Sequence, residues 1–316
     1  MTTVRNATLS VPGAELYYEV RGDGPLLLVS ESGEGDARRS IDLVGRLVTD
    51  HTVVTYDRRG LSRSVRTDPT VPITLARHAD DVHRLLAELT DGPVAMLGLS
   101  LGAVIGLHLA VEHPDRPLTL IAHEPVAPRL LPAAERAHHE RELAGIQRLY
   151  ASRGLNATFG EVARVLGIDL AAQDAEPGLT AQPLTPRRIA NFDFFLTHDF
   201  TAVLDDTLSA ERVAALRETE VRVVPALGRT TPDTVFDHRC ARKLSALLGT
   251  EPAEFPGGHN GNLTHPAAYA SRLREVLAAA PASRARRDRP VSGVVHDRRV
   301  GPHRANEAPC RSRTSK

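Results

Sequence analysis

The sequence predicts an α/β protein: a mostly parallel central sheet of about eight strands, with helices on both faces and a helical insertion. Three observations predict it. Short continuous apolar runs alternate with segments of helical spacing through about residue 125. Over 126–205 the rhythm breaks into helix-like stretches and proline-bounded loops with no convincing strand. Strand and helix then alternate again as far as residue 281.

The elements follow in order. "TLSVPG" and "ELYYEV" flank a Pro-Gly turn and predict a hairpin. "LLLVS" (Leu26 to Ser30) and "TVVTYD" (Thr52 to Asp57) are the short apolar runs of strands buried on both faces. Between them, Ile41, Val44, Leu47 and Val48 recur at helical spacing. "TLARHADDVHRLLAEL" places Leu75, Val82, Leu85, Leu86 and Leu89 on one side of a helix. "PVAMLGLS" reads as a strand, "GAVIGLHLAVEHP" as a helix stopped before Pro114, and "LTLIAHEP" as the next strand. "AAERAHHERELAGIQRLYASRG" and "TFGEVARVLGI" are the helical stretches of the insertion. After it come the helix "SAERVAALRET", the strand "VRVVPALG", the helix "TVFDHRCARKLSALLG", the short strand "EPAEFPG" and a last helix, "HPAAYASRLREVLAAA".

Composition narrows the function classes. The 316 residues are 41% hydrophobic, enough for one substantial core. Lys+Arg and Asp+Glu are equal at 39 each, which gives no support to a nucleic-acid partner. The exception is the Arg-rich, apolar-poor segment 282–316, expected to be a disordered basic tail. Two cysteines, Cys240 and Cys310, exclude a disulfide framework and say nothing about metal. With no signal-peptide pattern and no apolar run of about 18 residues, the expectation is a cytoplasmic protein without a membrane partner.

Chemistry enters at Gly98-Leu99-Ser100-Leu101-Gly102, a G-x-S-x-G pattern with a strand before and a helix after. Such a turn strains the serine backbone, exposes its hydroxyl above the sheet, and admits only small flanking residues. A serine nucleophile needs a base. Of 14 histidines, His259 in "FPGGHNG" is the candidate, because its loop follows a short strand and precedes the last helix. His78, His83, His108, His113, His138 and His139 fall in predicted helices, mostly on solvated faces.

These features resemble the α/β-hydrolase superfamily over about residues 10 to 280, and most of all small actinobacterial-type hydrolases with "HEP" after the sixth strand. "YDRRGLSRS" resembles the superfamily's D-x-R-G-x-G-x-S turn, with Leu61-Ser62 replacing the second glycine's setting. The resemblance implies an α/β-hydrolase core over 1–125 and 206–281 and a cap over 126–205. It implies that Ser100 is the nucleophile, His259 the base, and the Leu101 N–H one oxyanion donor. The triad acid is either Glu124 or Asp233. The superfamily usually places it after the strand "VRVVPALG", where Thr231 stands and Asp233 follows two residues late. Some relatives, including certain haloalkane dehalogenases, place it after the sixth strand, at the position of Glu124. Glu124 directly ends its strand and is preferred, since an orienting carboxylate must be tightly placed. The second oxyanion donor is the N–H of Ser32 or Glu31, although Glu31 and Glu34 bring negative charge near that loop. Phe192 and Phe195 in the cap are candidates for lining a substrate pocket, with Phe194 and Leu196 beside them. The implied activity is hydrolysis of an ester, lactone or similar small apolar substrate, with no cofactor or metal. The alternative is a non-hydrolytic binder or cofactor-free catalyst on the same fold.

Overall fold

A computed structural model describes residues 3–169 and 174–279. The expected tail, with Cys310, lies outside the described residues. In chain order the elements are β1 (Val4–Val11), β2 (Ala14–Arg21), β3 (Leu26–Ser30), α1 (Ile41–Leu47), β4 (Thr52–Tyr56), β5 (Val65–Arg66), α2 (Leu75–Leu89), β6 (Val94–Leu99), α3 (Leu101–Glu112) and β7 (Leu118–His123). The insertion contributes α4 (Ala133–Val165), α5 (Pro186–Phe194), a π-helical turn (Phe195–Asp199) and α6 (Phe200–Leu204). Then come α7 (Ala210–Ala215), β8 (Arg222–Gly228), α8 (Phe236–Leu248), β9 (Ala253–Phe255), α9 (Gly261–Thr264) and α10 (Pro266–Ala278).

The sheet has nine strands, in the order β1-β2-β4-β3-β6-β7-β8-β9 with β5 paired to β2. All eight strands expected from the sequence are present. The two-residue β5 is too short to leave an alternation pattern. β1 and β2 form the expected hairpin, with Val11 opposite Ala14 and Gly13 at φ 78° in the turn. From β4 through β9 the pairings are parallel. Successive side chains of a strand face opposite sides, so the apolar runs feed two cores. Leu28, Val54, Met96 and Leu120 pack with α2 and α3 on one side. Leu27, Val29, Val53, Leu97 and Ile121 pack with α1 and α10 on the other.

The chain reverses its direction of travel across the sheet between β3 and β6, which are adjacent and parallel. Crossovers leave to opposite sides there, opening a crevice at the strands' carboxyl ends. Ser30 ends β3 and Leu99 ends β6, so the loops carrying Glu31 to Glu34 and Ser100 share that crevice. Helix α3 starts in it and is buried over Leu101–Ala110, as expected of a helix apolar all round.

In the insertion, the two helical stretches run on as α4, broken where Gly154 adopts φ 72°, ψ −175°. Three of the helical histidines correct the expectation of solvated faces. His78 and His108 are buried on α2 and α3, and their Nε2 atoms pair with Asp199 (3.0 Å) and Asp206 (2.7 Å). His139 is buried against the Phe236 ring and its Nδ1 meets Glu142 at 2.7 Å. Carboxylates make these burials tolerable: those on His78 and His108 come from distant parts of the chain, which a helical wheel does not show, and that on His139 from the next turn of its own helix. No helix among the described residues is long and apolar enough to cross a membrane.

The close approach of α3 to β3 has a measurable consequence. A Cβ on Gly102 would lie 2.0 Å from the Ser30 carbonyl oxygen, whereas one on Gly160 in α4 meets nothing within 4 Å. Gly102→Ala is therefore expected to destabilise by at least the ~1–3 kcal/mol of overpacking. Gly160→Ala should gain about 0.5–1 kcal/mol from helix propensity. Thermal melts of the two variants check the opposite signs.

Candidate active site

Ser100 sits between β6 and α3 at φ 52°, ψ −106°, a conformation that L-residues rarely adopt. The backbone holds it there. The Ser100 N–H donates to the His123 carbonyl (2.9 Å), and the Ser100 carbonyl accepts from Ala103 (3.1 Å) and Val104 (3.3 Å). Gly98 is required because a Cβ there would come within 2.6 Å of the Ala103 Cα. Leu101 is the first residue of α3. Its N–H lacks an intrahelical partner and lies at the positive end of the helix dipole.

His259 follows β9 through Pro256-Gly257-Gly258, with Gly257 at φ 75°. Its Nδ1 lies 2.8 Å from Glu124 Oε2. Glu124 Oε1 accepts the Gly228 N–H (2.9 Å), and the Glu124 N–H donates to the Ala226 carbonyl (3.0 Å). Glu124 is itself at φ 43°, so the bonds to β8 fix a strained backbone and aim its carboxylate at the imidazole. Burial alone would raise the Glu124 pKa, but the hydrogen bond from His259 and the neighbouring imidazoles pull it down to about 2. For His259, burial favours the neutral ring, yet Glu124 and Asp237 outweigh it and raise its pKa. The Glu124 contact keeps the Nδ1 proton in place and leaves Nε2 to face the crevice.

Ser100 and His259 line one cavity of about 550 Å³, of the size that holds small organic ligands. Phe192 and Phe195 line it as well, with Phe159 edge-to-face on Phe192 and Phe200 edge-to-face on Phe195. Phe194 instead packs where a Gly60 Cβ would be, and Leu196 is buried in the core. Asp233 is exposed on the loop after β8, and the carboxylate hydrogen-bonded to His259 is Glu124. Thr231, at the position where the resemblance expects an acid, is buried beside Gly228.

The loop after β3 is shaped by Arg58. Its guanidinium is buried and donates to the carbonyls of Glu31 (3.1 Å), Ser32 (3.5 Å) and Gly33, and to Asp199 Oδ2 (3.1 Å). In a trans peptide the N–H points opposite to the carbonyl. Carbonyls turned onto Arg58 therefore turn the N–H groups of Ser32 and Gly33 the other way, and both residues line the cavity. Glu34 is neutralised by Arg188 (2.7 Å) and Arg39 (3.5 Å). The Glu31 carboxyl is buried and does not line the cavity. Burial pushes its pKa up to about 7.

Sequence reasoning missed two residues. Arg58 lies in the "DRRG" turn, whose resemblance to a known turn was a usable signal. Asp237, in the first turn of α8, lines the cavity and places Oδ2 3.7 Å from His259 Nε2. Nothing distinguishes it in sequence from an ordinary acidic residue at a helix start. Burial, reinforced by Glu124 and opposed by His259, pushes its pKa up to about 7. One group of metal-ligand type occurs among the described residues: His138, His139 and Glu142 on α4, their ligand atoms within 4.8 Å of one another. Glu142 there is already engaged by His139 and Arg164.

A sequence profile of the alpha/beta hydrolase fold matches residues 33–196. An uncharacterized hydrolase of Bacillus subtilis, YraK, is 34% identical over 276 residues, covering 87% of this chain and 97% of that protein. Among solved structures, a hydrolase from Pseudomonas aeruginosa superposes with a TM-score of 0.61 at 24% identity, covering 87% of this chain and 98% of the other. An enol-lactonase from Burkholderia xenovorans gives 0.62 at 21% identity, covering 86% and 100%. The chain belongs to the alpha/beta hydrolase fold family. Its fold and family point to a hydrolase-type enzyme, and the helical insertion over the sheet edge is the family's cap.

The two carboxyls facing His259 pull stability in opposite directions with pH. Glu124, depressed to about 2, stabilises the fold above its ordinary range near 4.5, and this is lost as pH falls toward 2. Asp237 ionises near 3.9 when unfolded and near 7 when folded. Between those values the folded state holds a proton that the unfolded chain has released, so stability falls as pH rises to about 7. Asp237→Asn is expected to raise the melting temperature more at pH 8 than at pH 5, a differential of at most roughly 3 kcal/mol. Melts at the two pH values check it.

Proposed function

We propose that the protein is a serine hydrolase that cleaves a carboxylic ester, lactone or similar small apolar substrate through an acyl-enzyme. The observation carrying this reading is the Glu124–His259 pair facing the cavity that Ser100 also lines, at the carboxyl edge of the sheet. In this mechanism His259 Nε2 takes the Ser100 hydroxyl proton as Oγ attacks the substrate carbonyl. The imidazolium so formed is stabilised by Glu124, whose carboxylate stays ionised at any pH above about 2. The oxyanion is received by the N–H groups of Leu101 and Ser32. The first is favoured by its place at the start of α3, the second by the peptide orientation that Arg58 imposes. His259 then returns the proton to the leaving group, and water, activated by the same imidazole, cleaves the acyl-enzyme. The lining of Phe192, Phe195, Leu143 and Ile146 suits an apolar acyl or alkyl portion.

Two experiments test the reading. A fluorophosphonate probe is expected to label Ser100, identified by peptide mapping, and Ser100→Ala should lower ester turnover by up to about 10⁶-fold. Turnover retained at more than a few per cent of wild type would exclude the acyl-enzyme route. Glu124→Gln should reduce kcat by up to about 10⁴-fold, as amide replacement of the orienting acid does in a related triad. Asp233→Asn should have little effect. The reverse ranking would move the acid to the loop after β8, and small, equal effects would favour a non-hydrolytic function.

A further inference from the structure

Close to His259 the cavity is lined by an acidic group that the proposed mechanism does not use, Asp237. Asp237 is fully buried, yet neither carboxyl oxygen has a hydrogen-bond partner. Its place in the first turn of α8 would suit a capping carboxylate, but neither oxygen accepts a backbone N–H, so capping does not account for it. The separation of 3.7 Å from His259 Nε2 is too long for a hydrogen bond. Buried polar groups are seldom left unsatisfied. Because Asp237 lines the cavity, the partner it lacks can come from whatever occupies that cavity.

We propose that Asp237 is a specificity-determining residue that selects substrates carrying a neutral hydrogen-bonding substituent, a hydroxyl or a carboxamide, close to the scissile bond. The proposal rests on the hydrolase reading for the word substrate, but the binding it describes does not need turnover. Proximity to His259 Nε2 sets the distance from the reacting centre. Three features favour a neutral substituent over an ammonium group. Burial holds the carboxyl in its acid form up to about neutral pH. An acid offers one O–H donor and one acceptor oxygen, which a hydroxyl or amide matches. The apolar part of the same cavity's lining, Leu143, Ile146, Phe159 and Val162, penalises a desolvated cation, and the charged groups that also line it, Glu34 with Arg39 and Arg188, are paired with one another.

The test uses matched pairs: ethyl and 2-hydroxyethyl butanoate for the alcohol side, and ethyl butanoate and ethyl 4-hydroxybutanoate for the acyl side. The 2-aminoethyl ester serves as the cationic probe. Binding is measured by calorimetry at pH 6 with the Ser100→Ala protein, and kcat/KM with the wild type. One hydroxylated ester is expected to bind about tenfold more tightly than its plain partner, the size of a buried hydrogen bond. Adding Asp237→Leu should erase that ratio, while the isosteric Asp237→Asn, which keeps a donor and an acceptor, should retain part of it. Equal affinities within both pairs, or a preference that survives Asp237→Leu, overturns the proposal. Tighter binding of the aminoethyl ester overturns the neutral class. A change in pH profile that is the same for both members of a pair, with their ratio intact, would make Asp237 a modulator of His259 instead. Failure of the hydrolase reading shows separately, as wild-type turnover no higher than that of Ser100→Ala, with the binding ratios still readable.

Discussion

The buried guanidinium of Arg58 is the constraint on which the upper half of the molecule depends. Its planar fork meets three successive carbonyls of the loop after β3 and the Asp199 carboxylate of the insertion. Lysine, a point charge on a flexible stem, could not hold that set. One side chain therefore sets the peptide orientation beside Ser100 and anchors the π-helical turn over the sheet. Asp199 passes the connection on to His78 in α2. Removing one member would leave buried carbonyls or a buried charge without a partner, which costs far more than the pair itself contributes.

Local backbone strain is concentrated at the same edge of the sheet. Among the described residues three non-glycines have φ in the left-handed region: Ser62, Ser100 and Glu124. Two lie in the candidate site. The third occupies the place where the related turn has a glycine, and it is steadied by the Asn191 side chain, whose Oδ1 accepts from its N–H (2.9 Å) and whose Nδ2 donates to its hydroxyl (2.9 Å), while the hydroxyl donates to Asp36 (2.8 Å). Such conformations cost about 1–3 kcal/mol each. They persist because the surroundings over-determine them, through bonds to β8 in the case of Glu124 and through the buried helix α3 in the case of Ser100.

The parts legible in the sequence were those with a local signature. Eight strands and the strand–turn–helix at Ser100 follow from apolar runs and glycine spacing, because sheet burial and close packing act on neighbouring residues. The ranking of Glu124 above Asp233 rested on strand support, and the hydrogen bond to His259 runs to Glu124. What sequence could not show was pairing between residues far apart in the chain. His78 with Asp199 and His108 with Asp206 join positions 121 and 98 residues apart. Asp237 has no local mark at all, because its significance is the missing partner.

A carboxylate drawn from the end of β7 has a consequence for how this scaffold can change. Glu124 follows a strand that directly neighbours the one leading to Ser100, so the two ends share one ladder, with Leu99 opposite His123. The loop after β8 is left with a lighter task. Gly228, whose N–H meets Glu124, Thr231, packed against it, and Thr230, whose N–H donates to the Gly257 carbonyl (3.1 Å) just before His259, tie it to the site. Pro232, Asp233 and Thr234 stand exposed beyond them. That tip is a place where insertions can accumulate, or be engineered, to reshape the rim of the cavity without disturbing the groups beneath it.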